Sequence, residues 1–192
     1  MIQRGGVVAI PTDTLYGLAA NPFLPRAAER IFRIKRRAES KPILLLIDSM
    51  EQLEGLVCRP PRALQEIAAR FWPGPLTVIL RASGSVPPAI TAGTGTVAVR
   101  WPAAALPRAL VRAAGSALTA TSANLSGRRA AVTAAGVQLQ LGGAVDCIVD
   151  GGRSPRTLPS TILDLTGVDS AGNYRIAREG AVSAASLRAY LR

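Results

Sequence analysis

The sequence predicts one α/β domain over residues 1–192, built on an open, twisted, mixed β-sheet flanked by helices. Three observations predict it. Short apolar runs of strand length, rich in Val and Ile, are interspersed with longer stretches whose apolar residues recur at helical spacing. Strands and helices mix without strict alternation, which fits a mixed sheet better than a parallel doubly wound one. A chain of 192 residues with 48% hydrophobic content buries a sizeable single core. Aromatics are only 4%, so that core must come mainly from Ala, Val, Leu and Ile.

Residues 6–10 (Gly-Val-Val-Ala-Ile) read as a buried strand closed by Pro11, followed by the loop Thr12-Asp-Thr-Leu-Tyr-Gly17. Residues 25–36 place Ala28, Ile31, Phe32 and Lys35 at helical spacing, with Pro25 in the first turn and cations at the end. Residues 42–47 form a second buried strand, after which Asp48 or Ser49 caps a helix over 50–57. A helix over 60–71 ends at Pro73-Gly-Pro75. Strands follow at 76–80 and 96–100, separated by a connection rich in Gly, Pro, Ser and Thr. Residues 104–114 are helical, and 117–120 are a short strand entering the polar loop Thr121-Ser-Ala-Asn-Leu-Ser-Gly127. A helix over 132–141, strands at 145–149, 160–165 and 174–177, and a closing helix over 181–191 complete the reading. Residues 151–159 are the best candidate for a mobile loop.

Composition excludes several function classes. The chain has no histidine, which removes Ser-His and Cys-His nucleophiles, the usual zinc sites and the commonest general base. Cys58 and Cys147 lie far apart without Cys-x-x-Cys spacing and read as two small buried hydrophobes. No apolar run reaches the roughly 18 residues of a membrane span, and the start leaves no room for a signal peptide. The expected location is the cytoplasm, with no membrane partner.

The net charge of +11 is unevenly spread. Between Gly55 and Val145 the only acid is Glu66, against nine arginines from Arg59 to Arg129. A field of that sign attracts nucleotides, RNA or other polyanions. Of the 23 basic residues all are Arg except Lys35 and Lys41, a pair that suggests a need for a compact ammonium rather than a planar fork.

Four segments share one design, in which a strand meets a turn of small polar residues: Pro11-Thr-Asp-Thr-Leu-Tyr-Gly17, Thr96-Val-Ala-Val-Arg100, Thr121-Ser-Ala-Asn-Leu-Ser-Gly127 and Pro159-Ser-Thr161. Such turns expose N–H groups and hydroxyls to anions. Neither the P-loop nor the dinucleotide glycine fingerprint is present.

These segments, with Lys35-Arg-Arg37, Lys41-Pro42 and Trp72-Pro-Gly-Pro-Leu-Thr77, resemble the YrdC/Sua5 family in order over nearly the whole chain. The resemblance implies a YrdC-like fold in its short, single-domain form. It implies an enzyme, a nucleotidyltransferase that makes threonylcarbamoyl-AMP and pyrophosphate from L-threonine, bicarbonate and ATP. The product would feed the N6-threonylcarbamoyladenosine modification of tRNA, with the transferase machinery of that modification as acceptor. By the same resemblance Thr14, Arg100, Ala120 and Ser160 match threonine positions. Arg37, Lys41, Thr96, Ser122 and Arg178 match ATP positions, and Lys35 and Asn124 complete the signature, with Lys35 and Arg37 expected to be catalytic. Mg2+ would be held largely by ATP phosphates and water.

A carbamate is already an anionic nucleophile, so its attack on phosphorus needs positioning and charge neutralisation more than a protein base. The absent histidine is no obstacle to such chemistry. Departures from the family pattern are Leu46 in place of a polar residue, Ala130-Ala131 in place of Ser-Pro, and Arg178-Glu-Gly180 in place of Arg-Pro-Gly. Relatives usually carry a helix ahead of the first strand; a start without it is expected to expose one side of the sheet.

Other residues read structurally: Trp72-Pro-Gly-Pro75 as a corner, Asp13 as a turn acid, Asp150-Gly-Gly152 as a turn, and Arg128 and Arg129 as solvated. Tyr16 stays open between a ligand stack and a buried aromatic. A non-catalytic module binding double-stranded RNA or tRNA is the competing function, and a paralogue adenylating another carbamate is a third.

Overall fold

The structure, a computed structural model, describes residues 1–167 and 174–191. Its strands form two sheets rather than one. The first runs β7 (Thr121–Ser122), β2 (Gly17–Ala19), β1 (Val8–Ile10), β8 (Cys147–Ile148), and the second β10 (Arg175–Arg178), β9 (Thr161–Asp164), β4 (Leu76–Arg81), β5 (Thr96–Arg100), β3 (Leu45–Leu46), β6 (Leu118–Thr119).

In the first sheet β1 (Val8–Ile10) is central, antiparallel to β2 (Gly17–Ala19) and parallel to β8 (Cys147–Ile148). In the second, β4 (Leu76–Arg81) and β5 (Thr96–Arg100) pair antiparallel, β5 runs parallel to β3 (Leu45–Leu46), and β4 runs parallel to β9 (Thr161–Asp164). β6 (Leu118–Thr119) and β10 (Arg175–Arg178) close its two edges. Every run read from the sequence holds a strand, but residues 42–47, 117–120 and 145–149 keep only two strand residues each. β2 and β7 (Thr121–Ser122) are additional, because two or three residues carry no periodicity to read.

The two sheets are joined at Ala120. The chain leaves β6 in one sheet and enters β7 in the other, and the Ala120 N–H donates to the Leu44 carbonyl at 2.8 Å. The buried Thr119 bonds across the same join: its hydroxyl accepts from Ala20 N and donates to Leu18 O, and its own N–H donates to Ala20 O. β7 thereby sets Ser122 opposite Gly17.

The helices follow their sequence signals. α1 (Pro25–Lys35) starts on proline and ends at Arg36, whose φ of 48° turns the chain out of the helix. Its inward face is Ala27, Ala28, Ile31, Phe32 and Lys35. α2 (Met50–Leu56) is capped by the Ser49 hydroxyl, which accepts from Gln52 N. α3 (Ala63–Phe71), α5 (Ala105–Ala114), α6 (Ala134–Leu141) and α7 (Ala184–Arg188) occupy the other helical stretches, and α4 (Pro88–Thr91) adds a short turn in the connection expected to be irregular.

The core is aliphatic, with Val78, Val97, Val99, Leu45 and Leu163 all at 0–1% exposure. Each such side chain contributes about 1.5–3 kcal/mol by leaving water. A second cluster packs Ile2, Val111 and Leu118 against Val8, Ile10 and Ala19, so the outer side of β1 is covered rather than exposed as expected. Cys58 is exposed, because it follows the edge bridge Val57–Ala82 instead of entering the core, and Cys147 is half-buried.

Candidate functional site

A cavity of about 580 Å3 is lined by residues of both sheets. Strand alternation builds one wall, since residues two apart share a face. Thr77 and Ile79 of β4, Ala98 and Arg100 of β5, Ser160 and Ile162 around β9, and Leu44 and Leu46 around β3 all line it. The loop before β2 supplies Thr12, Thr14 and Tyr16 opposite.

Arg100 is 4% exposed and held on three sides. Its Nε donates to the Gly74 carbonyl at 2.9 Å, Nη1 to the Thr14 hydroxyl at 2.8 Å, and Nη2 to Asp13 Oδ2 at 2.6 Å. Burial lowers its pKa, the Asp13 carboxylate pushes the other way, and Arg156 adds repulsion. The Trp72–Pro75 corner is structural, as expected, yet it presents the carbonyl that fixes Arg100. Trp72 Nε1 donates to Leu76 O at 2.7 Å, and Gly74 N donates to Trp101 O at 2.8 Å. A side chain at Gly74 would meet Phe71 O at 2.3 Å, so only glycine fits there.

Thr14 is oriented by hydroxyl bookkeeping. Thr12 Oγ1 gives its proton to Leu15 O, so the 3.0 Å contact between Thr12 and Thr14 is donated by Thr14, leaving the Thr14 oxygen to accept from Arg100. The buried hydroxyl of Ser160 lies 2.8 Å from that of Thr77. The Ser160 carbonyl accepts from Arg178 through Nε at 3.2 Å and Nη2 at 2.7 Å. Burial, then the nearby Arg100, lowers the Arg178 pKa. Beneath them Thr161 accepts from Gly180 N and Val182 N, fixing the chain after Arg178 to β9.

The remaining wall is basic. Arg37, Arg128, Arg129, Ser122 and Asn124 line it. The half-buried Arg37 donates from Nη2 to Pro42 O at 2.9 Å, and burial lowers its pKa. Of the residues expected at the site, Thr14, Arg100, Ala120 and Ser160 therefore meet in one cavity with Arg37, Ser122, Asn124 and Arg178.

Three expected residues stand outside the lining. Lys35 sits on the buried face of α1 at 2% exposure, where its ammonium donates to the carbonyls of Ser122 and Asn124 and to Asn124 Oδ1. Thr96 lies at the opposite end of β5 from Arg100, about 13 Å away along an extended chain, and shares a 2.9 Å hydroxyl contact with Thr94. Lys41 is exposed in the turn after α1.

Sequence reading also missed residues. Arg128 and Arg129, expected to be solvated, are exposed and on the cavity wall. Ala98 was legible from strand alternation, which places it on the face of Arg100, and Ile79 shares the face of Thr77, a residue of the motif already quoted. Asp13 is a turn acid as read, but its partner Arg100 is 87 residues away in sequence. Tyr16 is fully buried, and its hydroxyl accepts from Gly151 N at 3.3 Å and donates to Gly152 O at 2.7 Å. No cluster of three or more His, Cys, Asp or Glu side chains that could hold a metal occurs among the described residues.

The family model for Sua5, YciO and YrdC proteins, described as telomere recombination, matches residues 1–180. The chain belongs to the Sua5/YciO/YrdC family. A threonylcarbamoyl-AMP synthase of Pyrococcus abyssi is 42% identical over 86% of this chain and 48% of its own length. One of Thiobacillus denitrificans is 41% identical over 85% of this chain and 87% of its own. The chain thus spans about half the length of the first of these relatives. Among solved structures, P. abyssi Sua5 complexed with L-threonine matches with a TM-score of 0.93 at 38% identity, covering 98% of this chain and 54% of that one. Escherichia coli YciO matches with a TM-score of 0.83 at 27% identity over 95% and 86% of the two chains. The Sua5/YciO/YrdC fold is therefore that of the two-sheet domain described above.

Proposed function

We propose that this chain is an L-threonylcarbamoyladenylate synthase, a nucleotidyltransferase that converts L-threonine, bicarbonate and ATP into threonylcarbamoyl-AMP, pyrophosphate and water. The observation that carries the reading is the division of one cavity. An immobilised guanidinium, Arg100, stands among small hydroxyl side chains, and Arg37, Arg128, Arg129 and Arg178 stand around the rest.

Three of the five Arg100 N–H groups are engaged with protein, and the other two suit the carboxylate of an amino acid. Thr14, Ala120 and Ser160 would surround its small side chain. Ser122, Asn124, Arg37 and Arg178 would hold the nucleotide, with Arg128 and Arg129 close to its phosphates. The carbamate formed from the threonine amine and bicarbonate attacks the α-phosphorus, the bond to the β-phosphate oxygen breaks, and pyrophosphate leaves with its electron pair. Among the described residues the lining contains no carboxylate, and the sequence has no histidine, which suits a step that asks the protein for alignment and positive charge rather than for a base. Mg2+ would be held through phosphate oxygens and water, since the wall offers it only hydroxyl and carbonyl oxygens. The product would serve the threonylcarbamoyladenosine modification of tRNA in the cytoplasm; no helix among the described residues is long and apolar enough to cross a membrane.

Pyrophosphate release from ATP, with and without L-threonine and bicarbonate, tests the reading, with the adenylate identified by mass spectrometry. Release that ignores threonine would overturn it. Arg37→Ala should abolish most turnover, whereas Arg153→Ala, a cation outside this cavity, should not.

A second reading, a non-catalytic RNA-binding module, draws on Arg128 and Arg129, exposed at the cavity rim within a field of arginines. Its mark would be affinity for tRNA that falls steeply with salt and survives Thr14→Ala.

A further inference from the structure

Lys35 is the fully buried cation of α1, and nothing in the proposed chemistry uses it directly. Helical spacing turns it inward with Ile31 and Phe32, outside the cavity lining and against residues 122–128. There the ammonium meets three acceptors of that segment: Ser122 O, Asn124 O and Asn124 Oδ1. An ammonium has three N–H donors, so the set matches its full capacity.

The segment is tied to the same helix turn by its backbone as well, since Ser126 N donates to the Lys35 carbonyl at 2.9 Å. The Asn124 amide, steered by its oxygen on Lys35, donates to Leu125 O at 2.8 Å and Arg128 O at 2.7 Å. Ser122, Asn124, Arg128 and Arg129 all face the cavity from this segment. The like charge of Arg37 opposes the Lys35 ammonium. A cation kept in that position against burial and repulsion, fully hydrogen-bonded to one loop, has its consequence in the loop.

We propose that Lys35 is a positioning residue: its ammonium seats residues 122–128, so that Ser122 and Arg128 reach the nucleotide, and it touches no phosphate itself. This rests on the nucleotide side of the cavity being where the proposed function puts it. A planar Arg fork cannot replace a point donor among three oxygens converging from one turn, so charge alone does not suffice at this position.

The test compares Lys35→Met and Lys35→Arg with the unaltered protein, by hydrogen exchange without ligand, calorimetric titration with ATP, and turnover. Expected in both variants are faster exchange at the Ala123, Ser126 and Arg128 amides, ATP affinity lowered about tenfold or more, and a threonine KM changed less than about twofold. Unchanged exchange with weakened ATP would mean direct phosphate contact and overturn the proposal. So would ATP affinity retained by Lys35→Arg, or affinities unchanged in both. Where Lys35→Met does not fold, Lys35→Arg decides alone, because direct contact predicts retention and positioning predicts loss. An unaltered protein that binds ATP without threonine-dependent turnover defeats the proposed function but leaves these titrations decisive; one that binds no ATP defeats both.

Discussion

Asp13 and Arg100 form an ion pair at 2.6 Å with side chains only 13% and 5% exposed, and the second oxygen of Asp13 is buried without a hydrogen-bond partner among the described residues. The carboxylate fixes the plane of the guanidinium that the proposed function assigns to threonine. Removing it leaves a cation stranded in the interior, which costs about 3–5 kcal/mol where buried pairs are broken. Asp13→Ala is therefore expected to lower unfolding free energy in urea by about 3 kcal/mol and to weaken threonine more than ATP. Asp13→Asn, which keeps an acceptor for Nη2, should lose less of both.

Arg100→Lys should fold yet fail at the amino acid. One ammonium cannot bond Gly74 O, Thr14 and Asp13 and still present two parallel donors. Threonine KM is expected to rise by about tenfold or more with ATP KM little changed, read from pyrophosphate release at varied threonine.

The Thr77 hydroxyl orients Ser160 from within the sheet. Thr77→Val preserves the shape of a buried β-branched residue but orphans the Ser160 hydroxyl on that side. A loss of about 1–2 kcal/mol in thermal or urea unfolding is expected, together with a raised threonine KM. An unchanged KM would mean that Ser160 needs no such orientation.

Tyr16→Phe removes one hydroxyl that serves two backbone groups of residues 151–152. Exchange of the Gly151 amide should accelerate while that of β1 stays slow, because the aromatic ring still fills the core.

Burial, aided by Arg37, lowers the Lys35 pKa from 10.5 to about 8. Between pH 8 and 10.5 the unfolded chain then holds more protons at this site than the folded one, so stability rises with pH across that window and is independent of this group well below it. Urea midpoints of the unaltered protein should increase between pH 8 and 10 relative to Lys35→Met.

Arginine and lysine show how far the sequence could be read. The nearly acid-free stretch from Gly55 to Val145 announced an anion site, and the cavity carries Arg100, Arg128 and Arg129 from it. The lysine pair marked a region beside the cavity, although neither member is part of its lining. The spacing of Ala28, Ile31, Phe32 and Lys35 already put Lys35 on the apolar face of its helix, and that signal was the better guide. The exposure of Arg128 was also legible, but not its place on the wall, which depends on how the Asn124 side chain folds the loop.

Local order came from the sequence itself: helix starts at Pro25 and Ser49, the buried valine-rich strands, and the hydroxyl turns that follow them. Each depends on neighbours within a few residues, where propensity, capping and periodicity act. Only the tertiary structure decided that there are two sheets, that the chain changes sheet at Ala120, and that Asp13 meets Arg100 across 87 residues. Those outcomes depend on pairing between distant strands and on where a buried charge finds its partner, and neither leaves a mark on adjacent residues.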